Sequence, residues 1–211
     1  LPEFGIELSD LAGGTTDSGS DIKAMCVNLL LQTNKIAWDW CDCHLADKAA
    51  EKAFGTTADP RQSNNKDTRE VVKLVIKTAA KINQSTTFKQ KFDEVQLEMM
   101  DEVLKITKHA PQRWLSLKRV MERIIRLWHV LRKVYASDGE EFPLHKGNNK
   151  DNILQLYSLL EPLSAITRDG QYRAVPMTAE MRLAFAQLKM SVLDHEQPMR
   201  VFDIPPAPNS P

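Results

Sequence analysis

The sequence predicts an α+β chain that is mainly helical, with a βαβ piece followed by a body of helices. Three observations carry that expectation. The first third alternates short strand-like runs with helical ones and closes on Gly55. A polar stretch from Thr56 to Lys66 contains Pro60 and has no hydrophobic period. Beyond it, apolar residues recur only at helical spacing. The corresponding division is 1–55 for the mixed piece, 56–67 for a linker, 68–195 for the helices and 196–211 for a proline-rich tail.

Taken in order, Ile6 to Thr16 reads as a strand approach ending in Gly13-Gly14-Thr15-Thr16-Asp17. A turn over Ser18-Gly19-Ser20 leads into a helix from Asp21 to Gln32 carrying Met25, Leu29 and Leu30. Ile36 to Cys41 alternates apolar and polar residues, the pattern of a half-buried strand. Leu45 to Phe54 is a short helix capped by Gly55. Two strands around a helix imply a parallel pair if the crossover is right-handed.

The helical body opens on Asp67-Thr68-Arg69-Glu70, which has capping-box spacing, ahead of Val71, Val75, Ala79 and Ile82. A second helix is expected to carry Phe88, Phe92, Val95, Met99, Val103 and Ile106 on one face, with Pro111 breaking the pattern. A third, from Leu115 to Tyr135, carries Leu117, Met121, Ile124, Trp128, Leu131 and Tyr135 and stops at Ser137-Asp138-Gly139. After a polar loop to Asn149, a fourth helix starts near Lys150 and is expected to kink or restart at Pro162. The fifth is opened by Thr178 and carries Met181, Phe185, Leu188 and Val192. The tail from Ile204 is expected to be extended and mobile.

Composition narrows the function classes. Lys plus Arg equals Asp plus Glu at 28 each, so any nucleic-acid signal has to be local. The three cysteines, Cys26, Cys41 and Cys43, are too few for a disulfide framework. The expected setting is therefore a reducing one, nuclear or cytoplasmic, with no secretion and no membrane partner. The chain starts without methionine, which suggests a piece of something larger. A phosphate-binding glycine loop is missing because neither Lys-Ser nor Lys-Thr follows Gly13-Gly14. No serine nucleophile elbow and no well-spaced carboxylate pair stand out.

Four groups of residues invite chemistry. Asp17 lies where a strand hands over to a helix, a position that suits a metal-binding carboxylate and equally suits a helix cap, as does Ser18. Cys41-Asp42-Cys43-His44 has zinc-like donors but lacks the second cluster a four-ligand site needs, so packing and hydrogen bonding at the strand–helix junction is the competing account. Arg113-Trp114 could stack on a base and hold a phosphate, or anchor a core. Arg119, Arg123, Arg126 and Lys133 gather opposite the apolar stripe of the third helix, as a phosphate-contacting ridge or a solvated face.

Three segments in order resemble the hAT family of DNA transposases. Gly14-Thr15-Thr16-Asp17-Ser18-Gly19-Ser20-Asp21-Ile22-Lys23-Ala24-Met25 is similar to the segment bearing that family's second acidic residue. Trp40-Cys41-Asp42-Cys43-His44-Leu45-Ala46 resembles its C/D-x-x-H motif, with Cys41 and His44 in the named places. Arg113-Trp114-Leu115-Ser116 with Met121-Glu122-Arg123 resembles its Arg-Trp segment, and the likeness spans residues 5 to 165.

The resemblance implies a partial ribonuclease-H-like βαβ piece followed by a helical insertion domain. In the complete family site three acidic residues bind divalent metal, Mg or Mn, for DNA cleavage and strand transfer. Asp17 would be the catalytic and metal-binding member here, and Cys41, His44, Arg113 and Trp114 would handle DNA near it. The first acidic residue is expected ahead of Leu1 and the third beyond Pro211. A single carboxylate does not hold two metals, so no tight metal binding and no activity are expected of this polypeptide alone. The chain is then an excerpt or a decayed remnant of a transposable element, with DNA as its expected partner and self-association left open. Two other readings stand beside this one. One is a helical protein-interaction module without a nucleic-acid role. The other is a metal-dependent nuclease completed by Asp21, Asp39 or Asp42.

Overall fold

The computed structural model describes residues 2–11, 13–17, 19–56, 65–110, 114–172, 178–199, 201–202 and 204, without the side chains of 2, 8, 114, 115, 171, 172 and 178. The chain divides into two units, Leu1–Ala49 and Ala50–Pro211. It is mainly helical with two parallel strands.

In the first unit, strand β1 (Gly13–Thr16) pairs in parallel with β2 (Ala37–Trp40), Gly13 opposite Ala37 and Thr16 opposite Trp40. A parallel pair needs a long crossover, here α1 (Ser20–Met25) continuing into π-helical turns over Cys26–Thr33. The expected strand approach before Gly13 is instead made of 3₁₀ turns at Pro2–Phe4 and Leu8–Asp10. Alternation along the strands leaves Gly14, Thr16, Trp38 and Trp40 half-buried on one face and Gly13, Thr15, Ala37 and Asp39 exposed on the other. Gly14 permits a close approach: a Cβ there would lie 3.1 Å from Leu30 Cδ1, so the leucine would have to shift slightly. Helix α2 (Asp42–Phe54) begins in this unit, three residues ahead of its expected start at Leu45, and ends in the second, followed by Gly55 at φ +68°.

The second unit contains α3 (Lys66–Gln84), α4 (Thr86–Met100), α5 (Trp114–Arg126), α6 (Trp128–Ser137), α7 (Asn149–Tyr172) and α8 (Thr178–Lys189). Helix α5 packs on α7, α4 on α6 and α8 on α7, while α3 touches α4, α5 and α7. Val75, Val120, Met121, Ile124, Leu131 and Leu160 are fully enclosed at its centre. Tyr135 meets Phe88 edge-on at 5.1 Å, and Trp128 meets Phe142 at 5.0 Å.

Several boundaries differ from the sequence reading. Helix α3 is capped by Asn65, whose side chain accepts the Thr68 N–H at 3.0 Å, and Glu70 instead pairs with Lys73 at 2.8 Å. Helix α4 stops at Met100 because Asp101 turns left-handed at φ 55°, a conformation Asp tolerates. Val103 and Ile106 therefore lie in a non-helical run, where Ile106 is still buried. The third expected helix is two helices parted at Leu127. Residues 139–149 are not merely polar loop: Phe142 and Leu144 are buried around a 3₁₀ turn at Pro143–His145. Helix α7 runs unbroken through Pro162, with the buried Leu156 and Leu160 anchoring the stretch just before it. The start of the tail is packed rather than loose, since Ile204 is buried and the Phe202 N–H donates to Ser158 Oγ at 2.8 Å. Pro111, residues 57–64 and residues 205–211 lie outside the described residues. Among the described residues no helix is long and apolar enough to cross a membrane.

Candidate nucleic-acid interface

The carboxyl ends of the two strands lie side by side. The Cys41 N–H donates to the Thr16 carbonyl at 2.7 Å, extending the ladder one step past the paired Thr16 and Trp40. Asp17 thus follows directly from the strand end that Cys41 grips, and His44 stands in the first turn of α2, whose Leu45 N–H donates back to the Cys41 carbonyl at 3.0 Å. Trp38 fixes the end of β1 further, its indole N–H donating to Thr16 Oγ1 at 2.9 Å. Lys23 lies 5.3 Å from the centre of the Trp40 ring.

The exposed Asp17 carboxylate accepts the Gly19 N–H at 3.1 Å, so it shapes the turn into α1, and Gly19 occupies the N-cap position. Ser18, the other candidate cap, lies outside the described residues. Two of the other acids of this unit are engaged locally: Asp21 accepts from Ser20 Oγ at 3.2 Å, and Asp39, on the exposed sheet face, accepts the Trp40 N–H at 2.8 Å. Among the described residues no group of three His, Cys, Asp or Glu is placed to hold a metal ion. The Cys43 thiol is pushed up to about 11, chiefly by burial and then by Cys41, which also hydrogen-bonds it, and by Asp42. At neutral pH it is a protonated thiol.

The basic ridge separates into tied and untied members. Arg126 Nη2 pairs with Glu122 at 2.9 Å, one turn back on α5, and Lys133 on α6 pairs with Glu98 of α4 at 2.6 Å. Lys118 is paired with Glu161 of α7 and lies 5.4 Å from the Tyr157 ring centre. Burial, and then the charge of Glu161, hold the Tyr157 hydroxyl up at about 12. Arg119, exposed, and Arg123, half-buried, form no ion pair with a described residue. Trp114 opens α5, and Arg113 lies outside the described residues.

Two features escaped the sequence reading. Arg132 is exposed on α6 and lines a shallow open groove with Met99, His129, Lys133 and Ala136. It escaped because a single unbroken helix would have set it on a flank of the stripe, away from the ridge. His109 Nδ1 lies 2.8 Å from Ser116 Oγ, which also takes the Ala110 N–H at 2.9 Å and donates to the Ala110 carbonyl at 3.1 Å. This clamp gathers the chain just ahead of α5, and only the closeness of His109 and Ser116 around Pro111 could have suggested it. No protein-family model, no curated protein and no solved structure matches the chain.

Proposed function

We propose that the chain is a DNA-associated protein derived from a hAT-type transposase, its mixed piece a partial ribonuclease-H-like core and its helical unit the insertion domain. The observation that carries this reading is the backbone bond from Cys41 to Thr16, which sets the segment holding Asp17 next to the segment holding Cys41 and His44. A parallel strand–helix–strand unit followed by helices, one of them rich in arginine, agrees with it. The described residues do not fit the family's pair of divalent metals: Asp17 alone matches an acidic position, and no group of three His, Cys, Asp or Glu among them is placed to hold an ion. The activity proposed is therefore binding, without strand cleavage.

Binding of a labelled duplex in ~50 mM and ~200 mM salt tests the reading. Polyanion contacts make affinity fall steeply across that range. Absence of binding, or binding indifferent to salt, removes the DNA role. Plasmid nicking in Mg²⁺ or Mn²⁺ by the purified chain would instead restore a nuclease.

One observation favours a helical interaction module. Leu183 and Met190, at the outer side of α8 and just past its end, are 60% and 71% exposed, and Leu193 follows at 47%. Exposed apolar side chains gathered in one short segment are suited to contact with a partner. A sedimentation profile that stays monomeric at high concentration, with no change on Leu183→Glu, weighs against self-association through this face.

A further inference from the structure

The six lysines and arginines of α5 and α6 are not equivalent, and their ion pairs sort them. Lys118, Arg126 and Lys133 each face a glutamate: Glu161 of α7, Glu122 of α5 and Glu98 of α4. A cation already compensated in this way gains little from a phosphate, because contact would mean surrendering its carboxylate or carrying that negative charge up to the DNA. Arg126 is the most constrained of the predicted ridge, with Nε enclosed and lacking a hydrogen-bond partner among the described residues. Arg119, Arg123 and the exposed Arg132 of α6 form no ion pair with a described residue, and of these Arg119 and Arg123 share one helix. They stand one turn apart on α5. Four residues of helix rise about 6 Å. Phosphates recur about every 3.4 Å of axis along each strand of a duplex, so about 6 Å of helix covers about two phosphate steps, and two long guanidinium side chains reach separate phosphates of one strand.

We infer that Arg119 and Arg123 form the phosphate-contacting pair of this protein, whereas Arg126 is engaged by Glu122 one turn back and supports the last turn of α5. The inference rests on the DNA reading above and specifies its contact residues. It places the sequence-predicted ridge on its first two members alone.

The salt dependence of binding separates the roles. With a fluorescent mixed-sequence duplex of about 20 base pairs, each phosphate contact contributes about 0.9 to the slope of log affinity against log salt. Raising salt from 50 to 200 mM should therefore weaken Arg119→Ala or Arg123→Ala about 3.5-fold less than the unaltered chain. Arg126→Ala should leave the slope unchanged while lowering the melting temperature. If Arg126→Ala fails to fold, Glu122→Gln provides the complementary arm. Freeing Arg126 from its carboxylate should steepen the slope by about one contact. A slope reduced by Arg126→Ala as much as by Arg119→Ala, or unmoved by both Arg119→Ala and Arg123→Ala, overturns the assignment while leaving DNA binding in place. Failure of the unaltered chain to bind the duplex removes the DNA reading itself, and this assignment with it.

Discussion

The two units of the chain are built on opposite terms. In residues 50–211, helix after helix contributes residues with almost no exposed surface: Val75 from α3, Phe92 from α4, Ile124 from α5, Leu131 from α6 and Leu160 from α7. In residues 1–49, Cys26 and Ile36 are the buried hydrophobic residues among those described, while Ile22, Met25, Leu29 and Leu31 are exposed. A two-stranded sheet rarely stands alone in water. The first unit draws its order from backbone pairing and a few specific hydrogen bonds, such as Trp38 to Thr16. The second draws its order from burial. Stability and candidate chemistry are thus kept apart: the strand-end motif sits where packing is thin, and the arginine helix sits on a well-packed body.

The largest effect that could break this comparison comes from core truncation. Leu131→Ala or Ile124→Ala removes a fully enclosed side chain and should cost about 2–5 kcal/mol. Ile22→Ala, in the first unit and 38% exposed, should change stability by about 0.5 kcal/mol or less. Urea denaturation of the full chain measures both. Equal costs would mean that the first unit has a core of its own.

Next in size is the contact between α7 and α8. A Cβ at Gly170 would stand 2.3 Å from Met181 Sδ, so Gly170→Ala forces the methionine to move. Overpacking of this kind costs about 1–3 kcal/mol, less the gain of up to ~1 kcal/mol from replacing a helical glycine. In a Met181→Ala background the same substitution should become neutral or favourable, because the obstructing sulfur is gone. A penalty unchanged by Met181→Ala would show that the clash is not its source.

A smaller effect tests where α3 begins. Asn65→Ala should cost about 1 kcal/mol, the worth of a side-chain cap, and Asp67→Ala should cost less than half as much. The reverse order in thermal melts would return the cap to the capping-box position.

That cap illustrates how much of the molecule was legible in the sequence. Hydrophobic period located the major helices among the described residues and the strand Ala37–Trp40, because burial of one face is a property of residue types at fixed spacing, whereas β1, a Gly-Gly-Thr-Thr run, carries no such period. The stripe Leu117, Met121, Ile124, Trp128, Leu131 and Tyr135 is buried at every position, even though the backbone breaks at Leu127 between its halves. Period does not register where the ladder ends. Asp101 entering the left-handed region and Asn65 outcompeting Asp67 are decided by local geometry of a few residues. The candidate site was legible only as segments. That Asp17 and Cys41 follow neighbouring strand ends was an expectation from the βαβ pattern. That Lys133 would be taken by Glu98 was not readable, because Glu98 lies on a different helix, whereas Glu122, four residues before Arg126, makes an ion pair that helical spacing does show.

The last test concerns the clamp ahead of α5. Burial holds the His109 imidazole below its ordinary value of 6.5, opposed by the negative charge of Glu51. Its Nδ1 faces Ser116 Oγ, and Nε2 is enclosed with no acceptor among the described residues. Since Ser116 gives its hydrogen to the Ala110 carbonyl, Nδ1 is the donor to Ser116, and an added proton goes onto the enclosed Nε2, where no described acceptor meets it. The folded state therefore resists protonation while the unfolded chain does not. Where the folded value is the lower one, the unfolded state binds more protons as pH falls through 6.5, so this contribution to stability is complete above that pH and declines below it. His109→Gln should flatten the decline between about pH 6.5 and the depressed folded value, with the other histidines providing the common background in both proteins. Parallel pH profiles for the two chains would mean that the ring is open to water, and that the polypeptide leading into α5 is not held by this pair.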